Sequence, residues 1–297
     1  MAGTATLRAA TSPVAIRTEP SVWSRLIRNP RVVVGGSILL LLVAVAVFAP
    51  LIAPFDPNEQ VLQDRLHGPS GAHPMGTDGL GRDMLSRAIF GARVSLSVGM
   101  SAMLISIGLG TLIGVASGYF RGTVDNILMR ATDVLLSIPV FLLLITVLSI
   151  YGSSIPLLMF FLGVTAWPGT ARLVRSEVLS LGTREFVTAA RVIGLTDRRI
   201  MFRHILPNVV PLIAVAATLR VAVVVLAEAS LSYFGLGVQP PTATWGNMVA
   251  DGKGVLDVAW WITSFPGILI VITVLAFNFV GDGLRDVFDP RRRVSGS

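Results

Sequence analysis

Between Arg31 and Asp56 the chain runs for 24 residues without a charged side chain. It does so again over residues 94–120, and then over 38 residues from 134 to 171. A helix needs ~20 apolar residues to cross the hydrocarbon core of a bilayer. The third run is too long for one span at about 1.5 Å per residue. Its Tyr151-Gly152-Ser153-Ser154-Ile155-Pro156 cluster supplies a turn. That divides it into helices expected at about 127–150 and 155–173. Two more apolar runs, about 208–232 and 258–281, bring the expectation to six spans, an all-α integral membrane protein.

Composition agrees. Charged residues make up 14% of the chain and hydrophobic ones 53%, against roughly 25% charged in a soluble domain. A cleavable signal peptide at residues 32–55 is excluded by length, since such cores hold only ~7–15 apolar residues. There is no cysteine, so disulfides, thiolate metal sites and cysteine nucleophiles are ruled out. His67, His73 and His204 are scattered. The net charge of +7 does not indicate nucleic acid, because the arginines flank apolar spans.

Their distribution orients the chain. With the N-terminus inside, the N-tail, residues 119–130, the segment 172–207 and the C-tail carry five, two, seven and four basic residues. The two long loops on the other side, about 55–92 and 233–257, carry four in all: Arg65, Arg82, Arg87 and Lys253. This is the positive-inside bias. The expected organisation is a cytoplasmic tail 1–31, whose first 20 or so residues are disordered, and a first span 32–54. An extracytoplasmic loop 55–92 follows, then a five-span core 93–281 enclosing the loop 172–207, and a cytoplasmic tail 282–297. "DPRRR" in that last tail is expected to meet anionic headgroups.

Inside the spans, Gly110, Gly114 and Gly118 recur every fourth residue, with Ser106 before them. Such a stripe lets a second helix approach closely in lipid. Asp133, Arg220 and Glu228 are the intramembrane polar candidates, because an ionisable group at depth usually faces a cavity or a partner. Arg130 is placed to pair with Asp133. Glu228 could pair with Arg220, or with another subunit, or sit near the outer headgroups as a structural ion pair. Trp245, Trp260 and Trp261 are expected at the outer interface. His73, Asp78 and Asp83 suit loop turns and caps better than a metal site.

The segment REFVTAARVIGLTDRRIMFRHILP, residues 184–207, carries five arginines and an apolar seam. Phe186, Ala189, Ala190 and Ile193 share one helical face. Gly194 sits where a helix end favours a left-handed residue. Thr196 or Asp197 could cap a second short helix, and Pro207 could open the next span. The apolar face is too small for a core. It suits a groove on a partner or the headgroup region of a membrane; spacing alone leaves both open.

Ala189-Ala190, Gly194 and Leu206-Pro207 resemble the cytoplasmic signature of ABC-importer permeases. Thr188 stands at that signature's usual Glu, with Glu185 three residues earlier, and His204 stands at its usual Ile. HPMGTDGLGRDMLSRAIFGARVSL (73–96), DVLLSIP (133–139), AEASLSYFGLGVQPPTATWGNM (227–248) and GDGLRDVFDPR (281–291) resemble the C-type permease of dipeptide, oligopeptide and nickel importers. The resemblance covers residues 30–291. It implies a type I ABC-importer permease fold with six transmembrane helices and cytoplasmic coupling helices, in a bacterial inner membrane. It further implies a sister B-type permease, two ABC ATPase subunits that bind ATP and Mg, and an extracytoplasmic substrate-binding protein. This chain would need no cofactor of its own. Glu185, Ala189, Ala190, Gly194, Leu206 and Pro207 would couple to an ATPase. No phosphate loop of the G-x-x-x-x-G-K-[ST] type is present, so the chain is expected to be a transport subunit and not an enzyme. The cargo expected is short peptides, with nickel or another small solute as the alternative within the family. An ion-coupled secondary transporter built on Asp133, Arg220 and Glu228 is the competing class.

Overall fold

A computed structural model describes residues 21–288. The expected disorder of the first 20 residues and the headgroup contact of the DPRRR tail lie outside that range. The described chain is helical: α1 (Val22–Arg28), α2 (Pro30–Val47), α3 (Ala49–Ile52), α4 (Met84–Phe120), α5 (Gly122–Ser137), α6 (Val140–Tyr151), α7 (Ile155–Leu181), α8 (Glu185–Val192), α9 (Asp197–Ile200), α10 (Leu206–Tyr233), α11 (Trp245–Gly252) and α12 (Trp261–Phe288). Five of these helical stretches are long and apolar enough to span a bilayer, and the α5–α6 pair makes six if counted as one bent span.

That pair departs from the single helix expected over 127–150. It starts earlier, at Gly122, and turns by 78° between its halves. The cause is Pro139. A proline pushes the residue before it out of the α region, and Ile138 is extended, with φ −89° and ψ 125°. The next helix outruns its expected end at 173 and continues to Leu181.

The glycine stripe packs α4 along α7. A Cβ at Gly110 would stand 2.5 Å from Cβ of Thr170, at Gly114 2.6 Å from the Ala171 carbonyl oxygen, and at Gly118 2.8 Å from Cβ of Val178. Any side chain there would push the two helices apart. Beside this pair, α10, α12 and α2 lie against one another. Asn29 starts α2 by accepting from the N–H groups of Arg31 and Val32, with Pro30 in the first turn. The Asn29 amide also donates to the Gly283 carbonyl near the end of α12. The start of α2 and the end of α12 are therefore neighbours, at the end of the bundle that carries α8 and α9.

Pro207 lies in the first turn of α10, as expected, but that turn is not a free helix end. Helix runs unbroken from Asp197 to Tyr233, through a π-turn over Met201–Ile205. Proline lacks an N–H, and its ring presses on the preceding turn; the wider π-turn accommodates both defects without stopping the helix.

Candidate functional site

Three regions hold the polar chemistry. The first is the turn between α8 and α9. Gly194 has φ +78°, and a Cβ there would meet no other atom. Its glycine is thus required by backbone conformation and not by crowding. Thr196 stands at the start of α9 but makes no side-chain capping bond. Asp197 accepts a hydrogen bond from the Tyr119 hydroxyl at 2.6 Å, and the Arg191 guanidinium lies over the Tyr119 ring at 5.7 Å. These contacts tie the turn to the end of α4.

The apolar seam of this segment splits in two. Val187, Ala190, Ile200 and Ile205 are buried with Val174, Val178 and Val209 of the neighbouring spans. Phe186, Val192 and Ile193 face outward, with Val192 81% and Ile193 73% exposed. The face expected from spacing therefore does not act as one unit. Ala190 turns inward, while Phe186, Ala189 and Ile193 stay open. Glu185 is in the first turn of α8 and is exposed, as Pro207 is, while Leu206 is partly buried where α10 begins.

The second region is inside the spans. Asp133 does not pair with Arg130; its partner is Arg172, 39 residues on, at 2.5 Å, in an exposed ion pair. Glu228 does not pair with Arg220. It is 1% exposed and accepts from the hydroxyls of Ser232 at 2.7 Å and Ser95 at 3.5 Å. Ser95 Oγ in turn accepts the Trp245 backbone N–H at 3.3 Å. The carboxyl thus joins α10 to α4, and through Ser95 to α11, by hydrogen bonds and not by the expected ion pair. Arg220 makes no ion pair or hydrogen bond with any described residue. A Cβ at Gly169 would stand 3.3 Å from its Nη2.

The third region is the opposite end of the bundle. Asp78 accepts from Nε of Arg82 at 2.6 Å, with Arg87 Nε at 3.6 Å. Both arginines also approach Asp251 of α11, at 3.5 and 3.8 Å. Burial holds the Asp251 carboxyl above its ordinary range, opposed by the two arginines. His73 pairs with Asp83 at 2.9 Å, and Asp83 caps α4 through the Ser86 N–H. These side chains build the loop. No group of three metal-ligating side chains comes together among the described residues. Trp245 and Trp261 are not interfacial anchors: both are buried, donating to the carbonyls of Ala88 at 3.0 Å and Thr77 at 3.1 Å. Trp260 alone of the three is exposed. Sequence reading missed Arg82, Arg87 and Asp251 as a group, because their partners come from segments 160 or more residues apart.

Residues 110–294 match the model of the family described as binding-protein-dependent transport system inner membrane component. The chain belongs to that family. Residues 21–69 match the N-terminal transmembrane domain of oligopeptide transport permease C. The chain is 41% identical to a glutathione transport system permease protein of Pectobacterium atrosepticum, over 91% of this chain and 90% of that one. It is 39% identical to the di/tripeptide permease protein DppC of Pseudomonas aeruginosa, covering 91% of each. It is also 39% identical to the oligopeptide permease protein OppC of Haemophilus influenzae, over 92% and 90%. An inward-facing MetNI methionine ABC transporter structure aligns with TM-score 0.59 at 22% identity, over 69% of this chain and 98% of that one; this shows the fold. Family membership displaces the ion-coupled transporter as a reading. The permease matched here is a transport subunit.

Proposed function

We propose that this chain is the C-type half of an ATP-driven importer that carries short peptides across a bacterial inner membrane into the cytoplasm. In this reading it pairs with a B-type permease. Two ATPase subunits supply ATP and Mg binding, and a substrate-binding protein delivers cargo from outside. The α8–α9 turn docks into a cleft on one ATPase. Ala189 permits close approach, Gly194 makes the turn, and Glu185 with the arginines sets polar contacts at the rim. Ala190 holds α8 against the bundle, and Leu206 and Pro207 lead from the loop into α10. Nucleotide-driven closure of the ATPases then moves the turn and rocks the bundle between inward and outward states.

One observation carries the coupling role. The inner edge of α8 is packed against the bundle, while Phe186, Val192 and Ile193 are exposed around a left-handed glycine. A rigidly backed apolar edge of this size suits a groove on a partner. The basic residues beside it favour the cytoplasmic side, and both described chain ends lie on that side with it. The cargo assignment is supported by the peptide and glutathione permeases to which the chain is similar.

The test is uptake of labelled di- to pentapeptides and glutathione into proteoliposomes holding the whole complex, with and without ATP. ATP-dependent uptake that is abolished by Gly194→Arg in a still-assembled complex is the expected result. Uptake that follows a proton gradient without the ATPases would overturn the importer reading. Normal ATP hydrolysis with no movement of any peptide would overturn the cargo alone.

A further inference from the structure

Arg220 lies near the midpoint of α10 (Leu206–Tyr233), some 13 residues from either end, or about 20 Å at 1.5 Å per residue. A cation at that depth pairs with an anion or faces a wet cavity. Arg220 has no partner among the described residues. It opens instead into a cavity of about 240 Å³ between α7 and α10. Gly169 forms part of the wall, and a Cβ there would come within 3.3 Å of Nη2. Thr170, in the same wall, is 1% exposed, and its hydroxyl has no hydrogen-bond partner. The rest of the lining is aliphatic. At Leu173, Ala216 and Leu219 this cavity adjoins a larger one, about 580 Å³, which reaches Glu177, Asn208 and Arg285 at the α8–α9 end of the bundle.

We propose that Arg220 forms a carboxylate-binding point in the transport path, which holds the C-terminal carboxylate of a peptide on its way to the cytoplasm. The inference rests on the peptide reading above. A guanidinium presents paired N–H donors matched to the two oxygens of a carboxylate. It has nothing in this chain to give them to. The aliphatic walls make no demand on side-chain identity, so every peptide is held by the one group that all share. A point charge midway also shortens the apolar stretch that a zwitterion must cross.

The experiment is direct binding to the assembled complex, without the binding protein, so that the latter's preferences do not enter. The chain has no cysteine. A single Leu173→Cys carrying an environment-sensitive fluorophore, in a complex whose other chains have lost reactive thiols, reports on the cavity. Dialanine and its C-terminal amide are titrated. The expected result is saturable binding of the acid, with the amide at least about tenfold weaker, the size of a charge-assisted hydrogen-bond pair. Arg220→Gln should bring the acid down to the amide's level, and Arg220→Lys should keep part of the preference. Equal binding of acid and amide to the wild-type complex overturns the proposal, whatever the variants do. Loss of the sister permease from the Arg220→Gln complex, with no acid preference in wild type, assigns Arg220 to an acidic residue of that subunit instead. If neither compound binds while ATP-driven peptide uptake holds, the carboxylate point falls and the peptide reading stands. If uptake fails for all peptides too, both fall.

Discussion

The two ends of the bundle are built on opposite plans. At one end, residues 53–83 and α11 are sewn to α4 by buried Asp78, Arg82 and Arg87 and by the Trp245 N–H bond to Ala88, the Trp261 N–H ties α12 to Thr77 of the loop, and a local capping box of Thr244 and Asn247 starts α11. Nearly every polar group there finds its partner in this chain. At the other end, α8 and α9 are backed by aliphatic packing and one Tyr119–Asp197 bond, and their outer apolar side chains are bare. The first end is finished by its own sequence. The second is complete only in an assembly. Stability and coupling should therefore be separable by mutation.

The largest expected effect belongs to the finished end. Asp78→Leu strands the buried Arg82 and Arg87 guanidiniums with only the part-exposed Asp251 to face them. Removing one partner of a buried ion pair costs about 3–5 kcal/mol, which denaturant unfolding of the purified chain in detergent would read. A loss under about 1 kcal/mol would show that this end is no more committed than the other. Gly114→Val tests the middle. Its side chain meets the Ala171 carbonyl at 2.6 Å, and overpacking of that kind costs about 1–3 kcal/mol. The same unfolding midpoint checks it. A smaller change is expected for Glu228→Gln, which keeps an acceptor for one of the Ser95 and Ser232 hydroxyls and offers the other an N–H donor. We expect a change of less than about 1 kcal/mol, with normal assembly and uptake; lost uptake with stability intact would give Glu228 a transport role. Ile193→Asp should leave the unfolding of the chain within about 0.5 kcal/mol, being a surface change. It should cut ATP-driven uptake at least about tenfold, equivalent to about 1.4 kcal/mol of lost docking. If Ile193→Asp unfolds the chain, the contrast between the ends is wrong.

Sequence reading succeeded where the signal is local or periodic. Uncharged runs marked the spans, spacing of four marked the α4–α7 seam, and Gly194 marked its own turn. It failed where the deciding neighbour is remote. Asp133 has a charged residue three positions away, yet Arg172 reaches it across two helices. Trp245 and Trp261 look like interfacial indoles by position, but the folded loops bury them over α4. Pro139 was in plain view; its cost to the helix could not be weighed against the apolar run without the bend itself. The split of the α8 seam was also hidden. Periodicity reports that a face is apolar, not which of two bodies will cover it.

The unbroken helix from Asp197 to Tyr233 has a mechanical consequence. Its 37 residues form a push-rod about 55 Å long, with its foot at the glycine elbow and its shaft carrying Arg220 and Glu228. A displacement applied at the foot needs no hinge to arrive at mid-shaft. The π-turn near the foot takes up one extra residue within a single turn, and so keeps the two in phase. The side of the rod that is pressed and the side that faces the cavity are held to each other by that wide turn. Deleting the extra residue should close the π-turn to an α-turn and leave the phase nearly unchanged, whereas deleting one residue from the α-helical shaft should rotate one end against the other by about 100°.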